Sequence, residues 1–131
     1  MSAQADYFRA LETPRLARLS HNLVAAAFPL MKLMPVRFIL DQAEARGELE
    51  AGAHIVETTS GTFGMAVALL AASRGYPLTL VTASSLIDAQ YKARLERIGA
   101  TVIAIDDPSG DGNQPGRLEC LQRILTNDSE C

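Results

Sequence analysis

The stretch "HIVETTSGTFGMAVALLAASRGYPLTLVTA", residues 54–83, restricts the fold of this chain more than any other. A short apolar run, "HIVET", reads as a strand and enters a polar turn that carries Gly61 and Gly64. An apolar helix from Gly61 to Arg74 follows, with Gly75 as the residue that stops it. "LTLVTA" reads as a second strand, and it barely alternates, as expected when both faces are covered. A helix this apolar has no polar face to offer to water, so it must lie beneath other elements. Strand, buried helix and buried strand in succession predict a parallel pair joined by a right-handed crossover.

The same rhythm continues downstream. Asp88 can cap a helix whose Tyr91, Leu95 and Ile98 share one face, and Gly99 ends it. "TVIAI" reads as a third strand, "DDPSGDGNQPG" as a surface loop, and a last helix carries Leu118, Leu121 and Leu125 on one face. Upstream, "HNLVAAAF" reads as a first strand. Pro35 suits the first turn of a helix, with Val36, Ile39, Leu40 and Ala43 at helical spacing and Gly47 closing it. The expected fold class is α/β, a three-layer parallel sheet with flanking helices, in a single domain over residues 1–131.

Composition excludes several functions. With 131 residues, 48% of them hydrophobic and 21% charged, the chain is an ordinary globular domain. A net charge of -3 with mixed signs gives no basic patch for nucleic acid. The first residues lack a basic start followed by an apolar core, and the apolar run 23–31 is too short to span a bilayer. The expectation is a cytoplasmic protein with no membrane or nucleic-acid partner. Cys120 and Cys131 lack metal-ligand spacing, so free thiols and no metal site are expected. His21 and His54 are isolated and read as surface or strand-end residues.

Two features carry chemistry. Backbone N–H groups at a helix N-terminus have no intrahelical partner and hold partial positive charge. Gly61 and Gly64 allow close approach, and Thr58, Thr59, Ser60 and Thr62 add hydroxyls. The turn is either an anion site at the carboxyl end of a parallel strand or a capped corner without a ligand. It is not a P-loop, because the Lys-Ser/Thr ending is missing. Lys32 stands alone in "LVAAAFPLMKLMPVRFIL". Apolar surroundings would strip its ammonium of water and favour the neutral amine that Schiff-base chemistry needs, unless its stem lies buried and its head snorkels to solvent.

These segments together resemble the cysteine synthase family, pyridoxal-phosphate enzymes of fold type II related to the tryptophan synthase β subunit. "VETTSGTFGMAVALLAASRGYPLTLV" resembles the family's E-x-T-S-G-N-T-G turn and apolar helix. "AEARGEL" resembles its A-E-x-x-G-x-L, "ARLERIGATVIAID" a later stretch ending in G-A-x-V, and "ETPRLARLSHNL" the N-T-P-L-V-x-L start. Counting back from Glu44 without gaps sets Lys32 on the family's Schiff-base lysine. The resemblance implies pyridoxal 5'-phosphate as cofactor, held by Lys32, which also shuttles the α-proton. It implies that Thr59, Ser60, Gly61 and Phe63 bind the α-carboxylate of a small amino-acid substrate. Thr62 stands where the family has the asparagine that contacts the cofactor's phenolic oxygen, and Phe63 where it has a threonine.

The family's N-P-x-G-S-x-K-D-R run is "AAFPLMKLMPVR" here, so the lysine is kept without its polar neighbours. The resemblance ends at "ILTNDSEC", short of the family's glycine-rich phosphate loop and second lobe; "DGNQPG" is not accepted as that loop. Three readings follow. One is part of a β-replacement or β-elimination enzyme, completed by a second lobe or working as a homodimer, with little turnover of its own. Another is a truncated binding or interaction module of the same fold, which an exposed apolar patch on the lysine side would favour. The last is an anion-binding α/β domain of flavodoxin-like type.

Overall fold

The computed structural model describes residues 3–127. In chain order the elements are α1 (Ala3–Glu12), β1 (Arg15–Ser20), β2 (Leu23–Ala27), α2 (Leu33–Ala45), β3 (Ile55–Thr58), α3 (Thr62–Arg74), β4 (Leu78–Ala83), α4 (Ala89–Ile98), β5 (Ala100–Ile105) and α5 (Gln114–Leu125). Strands β3, β4 and β5 form a parallel sheet in that order, with Ile55 opposite Leu78 and Leu78 opposite Ala100. Every residue of the central strand β4 is buried, which explains its continuous rather than alternating apolar pattern.

Crossovers of one hand set α3 and α4 side by side on one face of the sheet, with α2 resting on α3. From the other face α5 packs on β3 and β4. The core runs through these layers: Leu33, Val36, Leu70, Leu80, Val81 and Leu95 are shielded almost completely from water. Helix α3 buries Ala66, Val67, Ala68, Leu70 and Ala71, residues that point to several sides of one helix. Its alanines let both the sheet and α2 approach closely, so this apolar segment has partners in two directions. Gly75 ends it with φ 76°, a left-handed conformation that suits glycine.

Polar contacts fix α2 against the far end of α3. Arg74 donates to Asp41 at 2.6 Å and to Glu44 at 3.0 Å, and the Tyr76 hydroxyl donates to Glu44 at 2.9 Å. The Tyr76 hydroxyl, with Arg74 beside it, holds the Glu44 carboxyl below the usual carboxylate range. Glu44 of the "AEARGEL" segment is therefore a structural brace.

The structure corrects several expectations. "HNLVAAAF" does contain a strand, but β2 pairs antiparallel with β1 in a separate hairpin and not in the parallel sheet. Neither β1 nor α1 was expected. Almost every hairpin residue is exposed, so no burial pattern marks its two faces. Helix α5 turns Arg117 and Cys120 inward, with Leu121 and Ile124 partly covered, whereas Leu118 and Leu125 face water. Its inward face is set by the Arg117 guanidinium, which donates to the Gly112 carbonyl at 2.8 Å. Cys120, expected as a free thiol, is disulfide-bonded, while Cys131 lies outside the described residues.

The segment "DDPSGDGNQPG" is not simply a surface loop. Asp107 is buried and accepts from the Ser85 hydroxyl, from Gly112 N–H at 2.8 Å and from the Ser109 hydroxyl at 3.1 Å. These donors, Ser85 above all, hold its carboxyl below its ordinary pKa.

Leu80 sits in the central strand between two helical layers. Its replacement by alanine is expected to lower unfolding free energy by about 2–5 kcal/mol, read from the urea midpoint at constant m-value.

Candidate functional site

The turn between β3 and α3 is organised from within by Thr59. Thr59 is buried, and its N–H donates to the Val81 carbonyl of β4 at 3.0 Å. Its hydroxyl oxygen accepts from Gly64 N–H at 3.0 Å and from Gly61 N–H at 3.4 Å. This side chain thus serves amides at the start of α3, sharing Gly64 N–H with the Gly61 carbonyl. Gly64 must be glycine here: a Cβ would lie 2.8 Å from Thr59 Cγ2 and 3.0 Å from its Oγ1.

The Gly61 carbonyl is the second hub. It accepts from Gly64 N–H at 3.1 Å, from the Thr59 hydroxyl at 3.3 Å and from the Tyr91 hydroxyl at 3.0 Å. Ser60 and Thr62 are exposed at the rim, and Phe63 is half-buried against the core. A cavity of about 270 Å³ opens beside the turn, lined by Gly61, Thr62, Leu86, Asp88, Gln90, Tyr91 and Arg94. Of the expected carboxylate-binding residues, Ser60 is exposed, while the Thr59 side chain and both backbone polar groups of Gly61 are hydrogen-bonded within the turn or to Tyr91.

Glu57 precedes this turn at the end of β3. It is partly buried and accepts from Thr58 N–H at 2.8 Å. Burial is the larger influence and pushes its carboxyl above the usual carboxylate range.

Lys32 sits at the N-cap of α2 with helical backbone angles, φ -68° and ψ -11°. It is exposed, and so are its neighbours Met31 and Met34. The apolar enclosure expected for this lysine is therefore not supplied by the described residues. The reason is helical phase: α2 buries Leu33, Val36 and Leu40, which leaves positions 31, 32, 34, 38 and 39 on the outer side. Just before Lys32, Pro29 and Leu30 line an apolar groove of about 490 Å³ with Met65 and Leu69 of α3. The start of α2 thus runs beside the first half of α3. No hydrogen bond or ion pair joins Lys32 to residues 59–63.

The "DGNQPG" segment is occupied by its own side chains. Gly112 N–H donates to Asp107, Asn113 N–H to Asp111 at 3.0 Å, and Gly116 N–H to Asn113 at 3.2 Å. Amides spent on internal acceptors are not free to cradle a phosphate, in line with the sequence reading. Among the described residues no cluster of His, Cys, Asp or Glu could hold a metal ion, and no helix is long and apolar enough to cross a membrane. Tyr91 was read only as a core-facing residue. A hydroxyl on the inner face of a helix, three residues after its cap, was the available signal that it had a polar task.

The site is thus a threonine- and glycine-built turn at the mouth of the first strand of a small parallel α/β sheet. Residues 31–130 match the family model for pyridoxal-phosphate dependent enzymes, and the chain belongs to that family. The cofactor of the family is pyridoxal 5'-phosphate. The chain is 34% identical over 88 residues to cysteine synthase A of Salmonella typhi, covering 67% of itself and 26% of that relative. The crystal structure of cysteine synthase from Entamoeba histolytica superposes with TM-score 0.64 at 26% identity, over 75% of this chain and 28% of that one. A hydrogen sulfide-producing enzyme from Fusobacterium nucleatum shares the fold with TM-score 0.75 at 19% identity, over 93% of this chain and 42% of that one. The chain spans well under half the length of each of these proteins.

Two outcomes test the turn. Gly64→Ala is expected to displace Thr59 and to cost about 1–3 kcal/mol in urea unfolding, with partial recovery in the Gly64→Ala/Thr59→Ser double variant because Cγ2 is gone. Glu57 binds its proton more tightly in the folded than in the unfolded chain. Its contribution to stability is therefore full below the unfolded carboxylate pKa and lost as pH rises through the raised folded pKa. Glu57→Gln should flatten that decline, measured as the difference in urea midpoint between buffers at about pH 3 and about pH 7, on either side of the carboxylate range.

Proposed function

We propose that this chain is the N-terminal, substrate-binding part of a pyridoxal-phosphate enzyme that carries out β-replacement or β-elimination on a small amino acid, as in cysteine synthesis. The observation that carries this reading is the Thr59–Gly64 turn, with its helix N-terminus at the carboxyl end of a parallel strand, in a chain of this family. The cofactor, when bound, supplies the electron sink that stabilises a carbanion at the substrate's α-carbon.

The chain's own residues would supply the rest. The Lys32 amine would hold the cofactor's aldehyde carbon and later accept the α-proton at Nζ. Its exposed position at the start of α2 leaves that amine accessible. The Ser60 hydroxyl and the amides of the turn would hold the α-carboxylate, with Gly61 allowing close approach and Phe63 closing the site on its apolar side. The Thr62 hydroxyl would donate toward the phenolic oxygen. Thr59 would act by shaping the turn.

A second lobe, or a second copy of the chain, completes the site in this reading. Exposed Met31, Met34, Phe38 and Ile39 flank Lys32, and the hairpin exposes Leu16, Leu19, Leu23 and Val24. Such an apolar surface suits a covering partner that also strips water from the lysine. The same surface favours the alternative, a non-catalytic interaction module.

The deciding experiment mixes the purified chain with pyridoxal phosphate, reduces with borohydride and maps adducts by mass spectrometry. Saturable labelling of Lys32, absent in Lys32→Ala, is the expected result. Labelling of the surface residue Lys92 as readily as Lys32 would reject a cofactor site in this chain.

A further inference from the structure

The first turn of α3 is built unlike those of its neighbours. In α2, α4 and α5 the carbonyl of the capping residue receives the N–H four residues on: Lys32 from Val36, Asp88 from Lys92, and Asn113 from Arg117. At α3 the Gly61 carbonyl instead receives Gly64 N–H, three residues on, and the Tyr91 hydroxyl at 3.0 Å. A side chain from α4 thus supplies one of the donors held by the carbonyl at the start of α3.

We infer that Tyr91 is a positioning residue for the proposed carboxylate-binding turn: by donating to the Gly61 carbonyl, its hydroxyl fixes the Gly61–Thr62 peptide and with it the direction of Thr62 N–H. The inference rests on the function proposed above for that turn. Its physical basis is the planarity of the peptide bond. In a trans peptide the C=O and the following N–H point in opposite directions. Three donors hold the Gly61 carbonyl, so the opposed Thr62 N–H is held with it.

Tyr91 is itself well anchored. Its N–H is capped by the Asp88 carboxylate at 2.7 Å, its ring packs on the core, and it lines the cavity with Gly61 and Thr62. A rigid donor on a neighbouring helix costs little ordering when a ligand arrives, which is the requirement for preorganised recognition of an anion.

Tyr91→Phe keeps the ring and removes only the hydroxyl. The test is an amide NMR spectrum of the full chain, wild type and variant, followed by titration with L-cysteine in the presence of pyridoxal phosphate. Two results are expected. In the ligand-free variant, the amides of Thr62, Phe63 and Met65 shift and exchange faster with solvent, while those of α5 do not move. The L-cysteine concentration needed to saturate shifts at Ser60 and Thr62 rises about tenfold, the loss of roughly one hydrogen bond's net contribution.

Unchanged turn amides, or equal saturation by L-cysteine in both proteins, would overturn the role of Tyr91. If L-cysteine moves the turn amides in neither protein, the carboxylate-binding function of the turn fails and the positioning role falls with it. Failure in the wild type separates that outcome from the first.

Discussion

Helix α3 has almost no face to give to water, and the rest of the molecule is arranged around that constraint. Its leucines and valine would each forfeit about 1.5–3 kcal/mol if left exposed. The sheet covers it on one side and α2 on another, while α4 lies alongside. Small residues make this possible, because Ala66, Ala68 and Ala71 allow two neighbours to approach one cylinder. The same burial sets where the chemistry can be. A helix fixed along its length presents its N-terminus at one defined place, the mouth of β3.

At that place the energetics are local and polar. Burying a helix start leaves amides that cost free energy unless they find partners. Thr59 answers Gly61 and Gly64, and Tyr91 donates to the Gly61 carbonyl. Ser60 and Thr62 remain at the surface. The division of labour inside one short turn follows from burial. Inward-facing hydroxyls serve the backbone, and outward-facing groups stay exposed.

The sheet and its helices were legible because each left a strong local signature: an apolar run, a cap at Asp88, glycines at positions 75 and 99. The hairpin was half legible. Arg15–Ser20 reads Arg-Leu-Ala-Arg-Leu-Ser, with neither alternation nor a covered face, so no pattern fixed it as a strand. The inward face of α5 was misread because Leu118 and Leu125 are apolar yet exposed, whereas Arg117 is buried on a carbonyl that only the folded loop provides. The candidate site was legible in the sequence as a polar turn and an isolated lysine. It was not legible that Thr59 faces inward, that Tyr91 reaches across from the next helix, or that Lys32 lies open.

The sequence by itself determined the order of strands and helices from α2 onward, the parallel sheet, and the presence of a polar, glycine-bearing helix start, because these depend on periodicity and on residues adjacent in the chain. Only the tertiary structure decided which hydroxyls of the turn are spent and which are free. That choice depends on Val81 and Tyr91, which come to the turn from other elements. The exposure of Lys32 was likewise decided by the phase of α2 against α3. Apolar neighbours in sequence do not enclose a side chain when the helix turns them, together with it, away from the core.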